Sequence, residues 1–419
     1  MAETDIAIIG GGIAGLALAL NLHARNIACT VYEAVAEVRE IGVGITLLPH
    51  GVKELTSFGL QAQLLAAGVE TRESAFFNRF GQKIYGELRG KLGGYEYPEI
   101  AIHRGRLHRI LFDAARQRLG ADRVVTNRRC LAIEQDDSGV SIRFAAADGS
   151  ALPPDLDHVR AAVAIGCDGV NSSVRRAFYP DEQMAFGGIN TWRGTTRHRP
   201  ILDGHTYIRV GSLNTGKMVI YPIYDIDDGS GDQMVNWVAE TISPSGGRND
   251  WNKPGKLADF LPVYADWRFD WLDVAAMIEN SEDILEYPMV DKDPIDRWTF
   301  GRVTIAGDAA HPMYPRGSNG SAQSLLDART LADCLQRETD PAAALQAYEA
   351  LRREATSKVV RTNRSSPPDF INIHVEKLTG DQPFERLEDY VTQDELRALS
   401  DGYKTVAGFG LADLRAPGM

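Results

Sequence analysis

The chain has 419 residues, a length that favours two lobes about a shared interface over one small domain. Its 45 basic and 57 acidic residues leave a net charge of −12, which argues against a nucleic-acid binder while leaving room for a local basic pocket. The four cysteines (Cys29, Cys130, Cys167, Cys334) are scattered without metal-ligand spacing, the N-terminus lacks the pattern of a signal peptide, and no apolar run approaches membrane-spanning length. The expectation is a cytoplasmic protein with reduced structural thiols and no metal, membrane or nucleic-acid partner.

Asp5 to Gly10 is a short apolar strand, followed by Gly10-Gly11-Gly12-Ile13-Ala14-Gly15, a helix to about Ala24, and a second strand from Ala28 to Tyr32 that ends at Glu33. This is a βαβ opening with G-x-G-x-x-G at its first turn. Gly10 permits the tight turn, Gly12 lets backbone approach a pyrophosphate, and Gly15 lets the helix pack on the strand. Glu33 is placed to accept hydrogen bonds from a ribose. Glu40 to Leu48 carries two glycines in an apolar run, which suggests backbone held close to a ligand around Val43 and Gly44. Gly51 to Ala67 reads as one helix, Phe76 to Gly90 as a hairpin, and Ile102-His103-Arg104-Gly105-Arg106-Leu107 opens another helix that continues to about Leu119. Short strands follow, the last from Ala162 to Ile165, ending in Gly166-Cys167-Asp168-Gly169 with Ser172 and Arg175 beyond.

From about Phe178 to Asp296, four stretches alternate apolar and polar residues: Ile189–Thr195, Thr206–Val210, Met218–Ile223 and Val235–Ala239. They read as half-buried antiparallel strands. Arg302 to Ala328 returns to the first pattern: a strand, a break at Gly307-Asp308, a loop with Pro312, Pro315, Gly317 and Gly320, then a helix with one apolar face. The positive end of that helix points at whatever the loop holds. Pro341 to about Arg361 is a further helix, and the tail beyond Pro367 has no evident role. The expected fold is α/β with an α+β insert: a Rossmann-like domain (1–177 and 297–365), a mostly antiparallel sheet domain (178–296) and a tail (366–419).

Three motifs stand in order: GGGIAG with Glu33, GCDGVNSSVR (166–175) and GDAAHPMYPRGSNG (307–320). This set resembles the single-component FAD-dependent aromatic hydroxylases, the para-hydroxybenzoate hydroxylase-like flavoprotein monooxygenases. IHRG (102–105), WRG (192–194), YPMVDKDP (287–294) and MYPRGSNG are similar to their phenazine-modifying branch, the 5-methylphenazine-1-carboxylate 1-monooxygenases. The resemblance implies FAD as cofactor, NADH or NADPH and O2 as co-substrates, and hydroxylation of an aromatic or heteroaromatic small molecule. No second G-x-G-x-x-G is present, and the resemblance implies none, because NAD(P)H would bind transiently.

The resemblance also implies roles. Gly10, Gly12, Ala14 and Gly15 would hold the FAD pyrophosphate, Glu33 the adenosine ribose, and Val43 and Gly44 the flavin side. Arg104 would reach the phosphate or ribityl region, Asp168 would help the pyrophosphate indirectly, and Asp308 would bond the ribityl chain. Ser172 and Arg175 either hold the Asp168 turn or are plain capping and surface charge. Pro315, a catalytic candidate together with Tyr221, would sit against the flavin ring with Gly317, Asn319 and Gly320. Ser318-Asn319-Gly320 departs from the Gln-Gly or Leu-Gly pair of many members. Trp192, Lys217, Met218, Tyr221, Trp237 and Tyr314 are candidates for the substrate wall. Tyr221 would orient or deprotonate a ring substituent, and Lys217 faces the same way by period-two counting and could pair with a carboxylate. Core packing is as good a reading for Trp192 and Trp237. Decarboxylating hydroxylation, a flavin oxidase or dehydrogenase, and a flavin-binding interaction protein stand as alternatives. A monomer and a homodimer fit equally.

Overall fold

The computed structural model describes residues 2–40, 42–243, 253–365 and 370–406. One lobe is a seven-stranded sheet. Val124–Val125, Thr30–Tyr32, Ala2–Ile9 and His158–Gly166 lie parallel in that order. The next edge of His158–Gly166 is shared. Its first half pairs antiparallel with Gly139–Ala145, and its second half pairs parallel with Val303–Ile305. The central strand residues Ile6 to Ile9 and Val163 to Ile165 are at most 5 % exposed, as strands covered on both faces require. Helix Ile13–Ala24 is buried almost throughout and packs against helix Gly320–Arg337.

The second lobe is an eight-stranded sheet, in the order Lys253–Pro254, Ile284–Asp291, Ala185–His198, Gln233–Ile242, Gly216–Asp225, Thr206–Ser212, Glu73–Phe77 and Lys83–Leu88. The four alternating stretches are therefore its centre. The sheet also recruits the hairpin at 73–88, from ahead of the expected boundary at 177, by parallel pairing of Thr206–Val210 with Glu73–Phe77. No local pattern in a hairpin specifies which distant edge it joins. The expected single helix over 51–67 is two, Pro49–Ser57 and Gln61–Ala67, because Gly59 takes a left-handed turn with φ +72°.

The described part of the tail packs on the hairpin. Helices Phe370–Thr379 and Gln393–Val406 seat Ile371, Val375 and Leu396 against Phe76, Ile84 and Tyr85 of the hairpin. Lys404 and Ser400 bond the Glu87 carboxylate, which also pairs with Arg89 at 2.7 Å. All four cysteines are buried and free, and burial pushes the Cys29 thiol up to about 12. No helix among the described residues is long and apolar enough to cross a membrane.

Burial alone would raise the Glu87 carboxyl, but Arg89 and Lys404 overrule it and bring it from 4.5 to about 2. A depressed folded value stabilises above the unfolded one, so this contribution is complete above about pH 4.5 and is lost as pH falls towards 2. Glu87→Ala is expected to cost on the order of 2 kcal/mol, because it removes one of the two carboxylates paired with buried Arg89, leaving Glu99 at 2.8 Å, and leaves Lys404 with the exposed Asp401. It should also flatten the acid limb of a urea-stability profile between those pH values.

Candidate functional site

The first lobe brings the three motifs together by register. Ile9 pairs with Gly166, and Gly166 pairs with Ile305, so three parallel strands end level. The turns at Gly10, Cys167 and Gly307 leave from the same edge, the place where open α/β sheets bind ligands. A Cβ on Gly10 would lie 2.4 Å from the Cys167 carbonyl oxygen, and one on Gly15 only 2.0 Å from the Gly10 oxygen. A Cβ on Gly12 would meet nothing within 4 Å. Gly10 and Gly15 are thus glycine for the protein's own packing, whereas Gly12 opens onto space. Ala14 packs against Gly307, so the first and third turns touch. Helix Ile13–Ala24 has no side-chain cap, which leaves its first amides for an anion. Glu33 accepts from the Gly11 amide at 2.6 Å and the Val35 amide at 2.8 Å, and the His108 ring donates to the Gly11 carbonyl.

Asp168 does not face open space. It accepts from the Ser173 and Val174 amides and from the Ser172 and Ser173 hydroxyls, capping helix Ser173–Phe178. Arg175 is 1 % exposed and donates to the carbonyls of Ala309 and Ala310 at 3.0 and 2.8 Å. It therefore ties the second motif to the third and is no surface charge. Asp308 is exposed beside it. Asp327, fully buried, takes the Gly307 amide at 3.0 Å, His311 at 2.6 Å and Arg352 at 2.8 Å. Burial would raise its carboxyl, but His311 and Arg352 hold it below the usual carboxylate range. Both histidine-bearing motifs are structural in this respect: His103 bonds the Gly42 carbonyl at 2.9 Å.

The loop then turns through Pro315, Gly317 at φ +77° and Ser318 at φ +56°. Asn319 precedes helix Gly320–Arg337, which again has no side-chain cap. The Asn319 side-chain oxygen meets the His50 ring at 3.3 Å, and burial pushes that imidazole down to about 4, so it is neutral at physiological pH. Two uncapped helix ends and an open glycine, all at one strand edge, fit the two electron-rich parts of FAD: its pyrophosphate and the N1/O2 edge of its ring.

The second lobe presents one face of its sheet to this edge. Gly44 is gripped at both its peptide groups: its amide donates to Asn236 Oδ1 at 2.7 Å, and its carbonyl accepts from the Tyr221 hydroxyl at 2.8 Å. A Cβ on Gly44 would lie 2.6 Å from Ile223, so only glycine fits there. The preceding Val43 carbonyl accepts from the Arg104 amide at 3.0 Å, while the Arg104 side chain is exposed. Tyr221 stacks on Tyr207, with ring centres 4.8 Å apart. On the same face, Lys217 reaches Glu240 at 3.1 Å, and Arg316 of the 312–320 loop approaches the same carboxylate at 3.9 Å.

Several expected roles are corrected here. Trp192, Met218 and Trp237 lie on the opposite face, where Trp192 stacks on Phe260 at 4.8 Å within an aromatic core. Period two forces this, since Asn236 and Tyr221 take the cleft side. Lys217 is 4 % exposed and already spends its charge on Glu240. Tyr221 has its proton committed to Gly44, and burial pushes its hydroxyl far above the usual phenol range, so it positions a loop and does not act as a base. Tyr314 packs with Ile189 and Met289. Asn236 and His50 belong to none of the motifs, and Arg193, inside WRG, carries no role in the sequence reading. A lone asparagine in the run Met234–Ala239 was the available signal for the first.

Comparison with known proteins agrees with this geometry. The model of a family described as FAD binding domain matches residues 3–203 and 280–363. A phenazine 1,6-dicarboxylic acid hydroxylase, PhzS of Lysobacter antibioticus, is 39 % identical over 367 residues, 86 % of this chain and 89 % of that protein. A 3-amino-4-hydroxybenzoate 2-monooxygenase of Streptomyces platensis is 32 % identical over 97 % of this chain and 96 % of its own. Klebsiella pneumoniae HpxO, solved with FAD and uric acid, has the same fold, with a TM-score of 0.75 at 23 % identity over 99 % of this chain and 97 % of that one. The chain belongs to the FAD-binding domain family and is an FAD-dependent aromatic monooxygenase.

Gly12→Ala should weaken FAD binding by about 2–3 kcal/mol, roughly 30- to 150-fold, in a flavin-fluorescence titration, with the melting temperature of the FAD-free protein unchanged. Gly15→Ala should lower that melting temperature instead. Tyr221→Phe should leave the pH–rate profile parallel to wild type while weakening the loop by about 1 kcal/mol. A lost basic limb in that profile would return Tyr221 to acid–base chemistry.

Proposed function

We propose that this monooxygenase hydroxylates a planar aromatic or heteroaromatic acid, with NADH or NADPH as reductant and O2 as oxygen source. The observation that carries this is the cleft between the level strand ends and the facing sheet. Uncapped helix ends face it from one side, and the Arg193 guanidinium beside the Tyr287 ring faces it from the other. By their names, the Lysobacter and Streptomyces relatives both act on aromatic acids.

Bound FAD, once reduced by NAD(P)H, supplies the activation of O2 and the transfer of one oxygen atom. The chain's residues set the conditions for it. The Gly11–Gly15 turn and the helix behind it would hold the pyrophosphate, Glu33 would take the ribose, and Asp308 would take the ribityl chain. The positive end of helix Gly320–Arg337 would favour negative charge on a flavin ring held there. Val219, Tyr221 and Ile223 pack with Ala101 of strand Glu99–His103, which fixes the sheet behind the Gly44 loop. Lys217 and Arg316 both approach the Glu240 carboxylate, which ties the facing sheet to the loop at 312–320.

The test is NAD(P)H consumption by the FAD-loaded protein across phenazine carboxylates, hydroxybenzoates and hydroxylated heteroaromatic acids, under labelled O2. One acid should accelerate consumption and yield a product that carries one labelled oxygen. Loss of CO2 with that gain would select the decarboxylating variant of the same reaction. Oxidation of a substrate without labelled oxygen would overturn the proposal in favour of an oxidase.

A further inference from the structure

Arg193 lies on strand Ala185–His198, one residue from Trp192, and so points to the opposite face from the aromatic core. It sits directly across from Val238 on one neighbouring strand and Leu285 on the other. Asn236, two residues from Val238 and on the same face, holds the Gly44 amide, so Arg193 looks into the cleft beside that loop. Its guanidinium carbon lies 5.2 Å from the centre of the Tyr287 ring. Tyr287 is therefore the aromatic neighbour of this guanidinium.

The other cations on this face are occupied. Lys217 and Arg316 lean on Glu240, and Arg209 bonds Ser74 and lies over the Phe76 and Tyr207 rings. Arg193 has no carboxylate partner among the described residues, its Nε is buried without a hydrogen-bond acceptor, and the residue as a whole remains half-exposed. An unsatisfied guanidinium nitrogen in a cleft is costly to leave unpaired. The fork geometry of arginine matches a carboxylate in two parallel hydrogen bonds.

We propose that Arg193 is the specificity residue that binds the carboxylate of the substrate, beside the ring of Tyr287. This rests on the aromatic-acid reading above. It assigns the acid to Arg193 in place of Lys217, and it places the ring of the substrate alongside the Gly44 loop that Tyr221 and Asn236 hold.

The test is equilibrium binding of phenazine-1-carboxylate and its neutral analogue phenazine-1-carboxamide to the FAD-loaded protein, followed by calorimetry and by flavin absorbance. Wild type should prefer the acid. Arg193→Gln should weaken the acid on the order of 100-fold, as loss of one partner of a desolvated charge pair does, and the amide by less than about threefold. Arg193→Lys, which keeps the charge, should retain most of the preference. Equal binding of acid and amide by wild type would overturn the proposal, and so would equal weakening of both by Arg193→Gln. A greater loss of acid preference in Lys217→Met than in Arg193→Gln would overturn it as well. Labelled-oxygen analysis separates the two readings: an Arg193-dependent acid preference without oxygen insertion removes the hydroxylase and keeps the anchor.

Discussion

The level ending of three parallel strands is the constraint on which the site depends. Ile9, Gly166 and Ile305 share one row of the sheet, so three turns far apart in sequence emerge side by side. Arg175 then fixes the second turn to the third through the Ala309 and Ala310 carbonyls, and Ala14 against Gly307 fixes the first to the third. A slip of one residue in either pairing would turn the apolar strand residues out of register with both covering layers and would separate the turns. The buried Asp327 network serves the same end, holding the Gly307 amide, His311 and Arg352 around one carboxylate.

The facing lobe adds charge where charge is expensive. Lys217, Glu240 and Arg316 are each less than 10 % exposed, and a buried cluster of this kind is a poor source of stability. Its value lies in position: Glu240 meets Lys217 of the neighbouring strand at 3.1 Å and Arg316 of the loop at 312–320 at 3.9 Å. Because Arg316 belongs to the loop before helix Gly320–Arg337, the cluster also joins the two lobes.

The sequence made the local units legible. Strand, glycine turn, helix and acid at 5–33 are a contiguous pattern, and the structure keeps them nearly residue for residue. The same holds for 302–337 and for the alternation that marks the inserted sheet. What was not legible depends on partners far along the chain. The hairpin at 73–88 joins a strand at 206–212, a choice made by long-range packing. Period-two counting put Lys217 and Tyr221 on one face correctly, but it cannot tell that Glu240 and the Gly44 carbonyl already occupy them. It would have sent Trp192 and Trp237 to the far face had Asn236 been used as the marker. Arg175 looked like a cap or a surface charge because the Ala309 and Ala310 carbonyls it binds lie more than a hundred residues away.

The tail also bears on how the molecule behaves in company. Lys83–Leu88 is the last strand of its sheet, and a terminal strand offers open backbone groups to any passing chain. Here Gln393 donates to the Ile84 carbonyl at 3.0 Å, Lys404 and Ser400 engage Glu87, and the two tail helices lie against the hairpin's apolar residues. The C-terminal segment is thus an edge guard: it uses up template sites through which one copy could add its strand to another, and so favours discrete molecules over open-ended association.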